Sequence, residues 1–146
     1  MAFYGVLTDL GKKAIANAMV GTAPAGLWIA FGSGSATSEP AETTEDITGE
    51  HFRVPAFFDT DADNYAFKVW LTDSSYTTTV PAAGDGETWC QIGIYDAETD
   101  GNLLYTGYNT TTLLASGETQ TPLEQEMSYG DTLDVEITFK VQGISW

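Results

Sequence analysis

The chain has 146 residues, with 21 acidic against 5 basic side chains, a formal net charge of −16 at pH 7, and 42% hydrophobic and 12% aromatic residues. That is enough apolar material for one packed domain over residues 1–146, and too much for a disordered chain. No cationic patch can be assembled from Lys12, Lys13, Arg53, Lys68 and Lys140, which argues against nucleic acid or an anionic membrane as a direct partner.

The chain opens with a short apolar segment, Ala2 to Leu7, read as extended. Thr8 is placed to cap a helix, because its hydroxyl can accept from the free amides of the first turn. Asp9 adds a favourable charge at the positive end of the helix dipole. Leu10, Ala14 and Ala18, flanked by Ile15 and Met19, form one apolar stripe. Gly21 suits the left-handed position that ends a helix. A helix is therefore expected over residues 9–20. Its small alanines allow close approach to a sheet or to a neighbouring subunit, and core packing is the preferred reading.

Leu27 to Phe31 reads as a strand, stopped by Gly32-Ser33-Gly34-Ser35. That stop lacks the Lys-Ser/Thr ending and the helix of a phosphate loop. Residues 36–50 hold five acidic side chains and no basic one. A solvated loop is expected, with Ile47 anchoring it to the body. Phe52 to Phe58 and Tyr65 to Leu71 read as two further strands. The Asp59–Asn64 spacer has the alternate carboxylates that begin a calcium loop. However, Asn64 replaces the sixth-position glycine, Trp70 replaces the twelfth-position Glu, and strands flank it, so a polar turn is expected. Ser74 to Gly86 reads as loop.

Thr88 to Gly107 is the centre of the pattern. Two apolar runs, Trp89 to Tyr95 and Leu103 to Tyr105, enclose a polar spacer ending in Asp100-Gly101-Asn102. Gly and Asn tolerate the positive φ of a reversal, so a hairpin is expected here. Gly93 inside the first run marks a bulge or a close backbone approach. Tyr108 to Pro122 reads as a Thr-rich loop. Leu133 to Val141 alternates apolar and polar without a break and reads as a half-buried strand. Trp146 is expected to pack across a subunit boundary. The whole reads as mainly β (α+β): a single antiparallel β-sandwich-like domain with one N-terminal helix packed on the sheet.

No catalytic constellation emerges. Cys90 is the one cysteine and His51 the one histidine, so neither an internal disulfide nor a Cys/His zinc site can form. Cys90 is expected buried and inert, and His51 at a strand edge. No nucleophile elbow ties a serine to His51. The carboxylates sit mostly in loops and on wet strand faces. No enzyme activity, cofactor or metal is expected. The acidity fits either solubility in a salty or crowded setting or docking onto a basic partner. The N-terminus lacks a signal-peptide pattern, and no apolar run approaches the roughly 20 residues of a membrane span, so a soluble cytoplasmic product is expected.

Four pieces in order resemble the tail-collar fibre family of tailed-virus proteins. Tyr4 to Thr22 is similar to the family's opening Leu-Thr-x-x-Gly-x-x-x-Ile/Leu-Ala helix. LWIAFGSGS is similar to its next strand and Gly-rich turn. Pro40, Thr44, Ile47, Glu50 and Arg53 follow its Pro…Thr…Leu…Glu…Arg spacing. WCQIGIYDAETDGNLLYTG resembles its central hairpin, with Gln91 where the family carries Glu. The Pro81 to Glu87 stretch lacks the family's double glycine. The resemblance covers about Ala2 to Tyr108 and implies an N-terminal fibre-attachment module. With no shaft after Trp146, it implies an adaptor or collar component of the virion tail or baseplate. Its partners would be other tail or fibre proteins and further copies of itself, as a trimer or six-fold ring, assembled in the host cytoplasm. Phe3, Tyr4, Leu7 and Trp146 are the expected interface residues. Two other classes compete. One is a receptor- or carbohydrate-binding module stacking sugars on Trp70, Trp89 and Tyr108. The other is a polysaccharide-cleaving enzyme, which needs two carboxyl groups facing each other across a cleft.

Overall fold

The computed structural model describes residues 2–34, 41–110 and 124–140; the side chains of residues 2–4 and 110 fall outside that description. The elements in chain order are β1 (Ala2–Leu7), α1 (Asp9–Met19), β2 (Leu27–Gly32), β3 (Glu50–Asp61), β4 (Ala66–Trp70), β5 (Thr88–Trp89), β6 (Gln91–Tyr95), β7 (Leu103–Thr110), β8 (Gln125–Glu126) and β9 (Glu136–Lys140). Seven strands form one antiparallel sheet in the order β1-β7-β6-β2-β3-β4-β9, and β5 pairs with β8 separately. Among the described residues the protein is mainly β with one α-helix, as the sequence led us to expect. The two facing layers come from a single sheet that curls over. Tyr105 on β7 meets Phe139 on β9 edge to face at 5.4 Å, although four strands separate them in the sheet.

Period-two alternation decides what the curl encloses. On β2, Leu27, Ile29 and Phe31 point inward, level with Val54 and Phe52 on β3 and Ile94 and Ile92 on β6. Val69 and Leu71 continue this inner core, both fully buried. The other face of the same strands carries a smaller cluster of Ala30, Ile47, Tyr95 and Leu103. Ile47 does anchor the acidic loop. Its amide donates to Tyr95 Oη at 3.0 Å, and the Thr48 amide donates to Gln91 Oε1 at 3.0 Å. Gln91 is buried, and its Nε2 donates to Thr106 Oγ1. A carboxylate there would have no donor for Thr106 and would bury a charge.

The central hairpin forms between β6 and β7, reversing through Asp100 (φ 54°) and Gly101 (φ 75°). Gly93 is a close approach: a Cβ there would press on Leu103 and Ile47, while the register shift falls one residue later, between Ile94 and Tyr95. Arg53 ties this hairpin to β3. Its guanidinium sits 3.5 Å from the Tyr95 ring centre, donates to the carbonyls of Ala97 and Asp100, and pairs with Glu50 at 3.0 Å.

Four expectations need correction. Leu133 to Lys140 is not one strand, and Val141 lies outside the described residues. Leu133, Val135 and Ile137 are buried in alternation, but β9 begins only at Glu136, because Leu133 donates its amide to Thr78 in a loop. Of the loop expected over Tyr108 to Pro122, Tyr108 to Thr110 is the end of β7, paired with β1, and residues 111–122 lie outside the described residues. Trp89 leaves the main sheet and pairs with β8. The helix stripe is core only in part: Ala14 packs against the core and Leu10 is half-buried, while Ile15, Ala18 and Met19 are exposed, and the one buried residue of the helix is Gly11, outside the stripe.

The Leu7-Thr8-Asp9-Leu10-Gly11 stretch has a clear physical role. Thr8 is fully buried; its Oγ1 accepts from the Gly11 amide at 3.0 Å and donates to the Leu103 carbonyl. Its own amide donates to the Leu104 carbonyl. One threonine thus caps the helix and fastens it to β7. Gly11 lies flush on the Leu104 backbone, where a Cβ would overlap the carbonyl. Gly11→Ala therefore forces the helix off its seat, and the overlap outweighs the higher helix propensity of alanine. A loss of about 1–3 kcal/mol is expected in urea unfolding. A gain in stability would contradict this seating.

Candidate functional site

Among the described residues an apolar groove of about 540 Å³ lies between α1 and the inner face of the sheet. Ala14, Ile15 and Ala18 form the helix side; Leu7, Phe58, Phe67, Tyr105 and Phe139 form the sheet side. The groove exists because the stripe facing the sheet is made of small residues. Gly11 is buried, Ala14 is half-buried and Ala18 is exposed, so the helix loses contact with the sheet along its length. Ile15 and Met19, at 38% and 83% exposure, face Phe58 at 45% across the opening. Large apolar groups standing together in water are unusual for a surface with no partner. The floor is aromatic: Phe67 and Phe139 stack at 4.6 Å, with Tyr105 edge-on to Phe139.

Burial pushes the Tyr105 hydroxyl up to about 12. Tyr95, on the opposite face, is also pushed up to about 12, chiefly by burial and partly by the charges of Asp46 and Glu50, against the lowering bond from the Ile47 amide. An unfolded tyrosine titrates near 10. Below pH of about 10 both states keep these protons, and stability is indifferent to them. Between about 10 and 12 the unfolded chain releases them and the folded chain does not, so stability falls as pH rises, by about 1.4 kcal/mol per pH unit for each tyrosine. Urea midpoints measured across this range should show that slope. Tyr95→Phe and Tyr105→Phe should each remove part of it.

Of the expected interface residues, Leu7 is half-buried and lines the groove. Phe3 and Tyr4 pair through their backbones with Asn109 and Tyr108, and their side chains lie outside the description. Trp146 lies outside the described residues altogether. The sugar-stacking trio does not form a platform. Trp89 and Tyr108 are buried, at 5% and 7% exposure, and the half-buried Trp70 stacks on Phe57 at 5.9 Å.

The remaining chemical groups are occupied locally. His51 Nε2 lies 2.9 Å from the Thr88 carbonyl oxygen, and Nδ1 lies 3.7 Å from the Glu87 carboxylate. The Cys90 thiol is buried and bonded to the Ser33 carbonyl; burial, helped by the charge of Glu124, raises its pKa. In the Asp59–Asn64 segment, the Asp61 carboxylate accepts from Asn64 Nδ2, and Tyr65 turns the chain at φ 53°. Among the described residues no group of three or more His, Cys, Asp or Glu is placed to hold a metal ion, and no helix is long and apolar enough to cross a membrane.

Sequence reasoning missed the groove and the Arg53–Tyr95 contact. One signal was available for the first: a glycine inside a helix is costly and calls for a packing reason. Comparison with known proteins adds no relative, since no family model, curated protein or solved structure matches the chain.

Proposed function

We propose that this chain is a structural component of a virus tail, an attachment, adaptor or collar protein of the virion that performs no catalysis. The observation that carries a docking role is the groove along α1, with Ile15, Met19 and Phe58 presented to solvent at its mouth. Obligate assembly interfaces are apolar in this way. The assignment to a tail rests on the resemblance of residues 2–108 to the tail-collar fibre family. The Leu-Thr-x-x-Gly signature within it has a physical role here as the seat of α1 on β7. Cyclic symmetry of a tail favours a trimer or six-fold ring, with other tail or fibre proteins as partners. Mass photometry of the purified chain, with antibody labelling of tailed particles from its source, tests this reading. A closed ring or trimer and label on the tail are expected. A strict monomer absent from particles would overturn it.

One observation favours carbohydrate or receptor binding as a second reading. Phe57, Trp70 and Tyr76 group on the face opposite Val69, with Tyr76 edge-on to Phe57 at 5.7 Å and 53% exposed. An exposed ring such as Tyr76, backed by the half-buried Phe57 and Trp70, suits stacking on a sugar. Glycan-array binding lost in Tyr76→Ala would move the assignment to this reading.

A further inference from the structure

We propose that the groove along α1 receives an apolar segment of a partner protein whose flanks carry lysine or arginine. This rests on the reading of the chain as an assembly protein, and it names the chemistry of what is assembled onto it. The groove is apolar and open to solvent. Its exposed members, Ile15 and Met19, lie one helical turn apart, the spacing that matches apolar anchors at regular intervals on an incoming segment.

Charge selects the occupant. Three of the five cations are already committed to the chain's own acids: Lys12 to Glu42 at 2.9 Å, Arg53 to Glu50 at 3.0 Å, and Lys68 to Asp61 and Glu136 at 3.8 and 3.9 Å. Asp59 sits on the lip of the groove, exposed, and makes no ion pair among the described residues. A second copy seated in this groove would bring its own surplus of carboxylates within the Debye length of about 8 Å from Asp59, so copies in a ring would meet through other surfaces. A segment with basic flanks is instead drawn in, and its apolar centre removes Ile15, Met19 and Phe58 from water. Attraction of this kind raises the association rate and is weakened by salt.

The test uses the whole chain and two fluorescent peptides with the same Leu/Phe centre, one flanked by lysines and one by glutamates. Anisotropy titration should show the lysine-flanked peptide binding at least about tenfold more tightly, with that preference shrinking between about 50 and 500 mM salt. Ile15→Gln combined with Met19→Gln should weaken binding about tenfold. Both sites are exposed, so circular dichroism should show an unchanged fold. Asp59→Asn should reduce the salt dependence while leaving the apolar contact. Equal binding of the two peptides, or binding of neither, would overturn the proposal. So would a dimer that the double substitution disperses, which would make a second copy the occupant. A chain found on virus tails that ignores both peptides keeps the assembly reading and loses this one. A chain absent from particles that still prefers the basic peptide does the reverse.

Discussion

Tyr95→Ala should cost about 3–5 kcal/mol, the range for emptying a buried aromatic site. Tyr95 is 1% exposed and joins three parts of the outer face. Its hydroxyl accepts from the Ile47 amide at 3.0 Å and reaches Asp46 at 3.3 Å, which holds the acidic loop. Its ring lies under the Arg53 guanidinium, which in turn holds the carbonyls of the hairpin loop. Removing the ring leaves a cavity and a buried cation without its aromatic partner. Tyr95→Phe separates the contributions. It keeps the ring and the cation contact but leaves the Ile47 amide unpaired, for about 1–3 kcal/mol. Urea midpoints measure both. Hydrogen exchange at Ile47 should quicken in both variants. If Tyr95→Ala proves no worse than Tyr95→Phe, the ring contributes nothing and this account fails.

Phe31→Ala should cost a similar 3–5 kcal/mol, for a different reason. Phe31 has no exposed surface. It stacks on Phe52 at 5.2 Å and meets Trp89 edge to face at 5.1 Å. Trp89 belongs to the two-stranded β5–β8 sheet, so Phe31 is where the main sheet grips the small one. The variant should unfold at lower urea, and its tryptophan emission should shift toward that of exposed indole even before the main transition. Unchanged emission in the folded variant would mean that Trp89 is held by something else.

Much of the fold was legible in local chemistry. Thr8 and Gly21 bracket the helix because capping and left-handed termination are properties of single residues. The central hairpin was legible because Asp100-Gly101-Asn102 marks a reversal, although the left-handed residues are Asp100 and Gly101 rather than Gly101 and Asn102. The error over Leu133 to Val141 has the same origin. Alternation reports which side chains are buried, and Leu133 and Val135 are, but it does not report what their amides bond to. The sugar-stacking idea failed at Trp89 and Tyr108 because an aromatic residue gives no sign in sequence of which face it occupies.

The sequence by itself determined the mainly β class, the helix, the hairpin, the burial of Cys90 and the surplus of negative charge. These depend on a residue and its near neighbours. Only the tertiary structure decided the curl that brings Tyr105 onto Phe139, the position of Arg53 over Tyr95, and the groove left open by a helix of alanines. These arise from strands distant in sequence meeting, as when β1 pairs with β7 some hundred residues later. The shape of the space between two elements depends on both surfaces at once, so the small residues on α1 become a groove only when a sheet faces them.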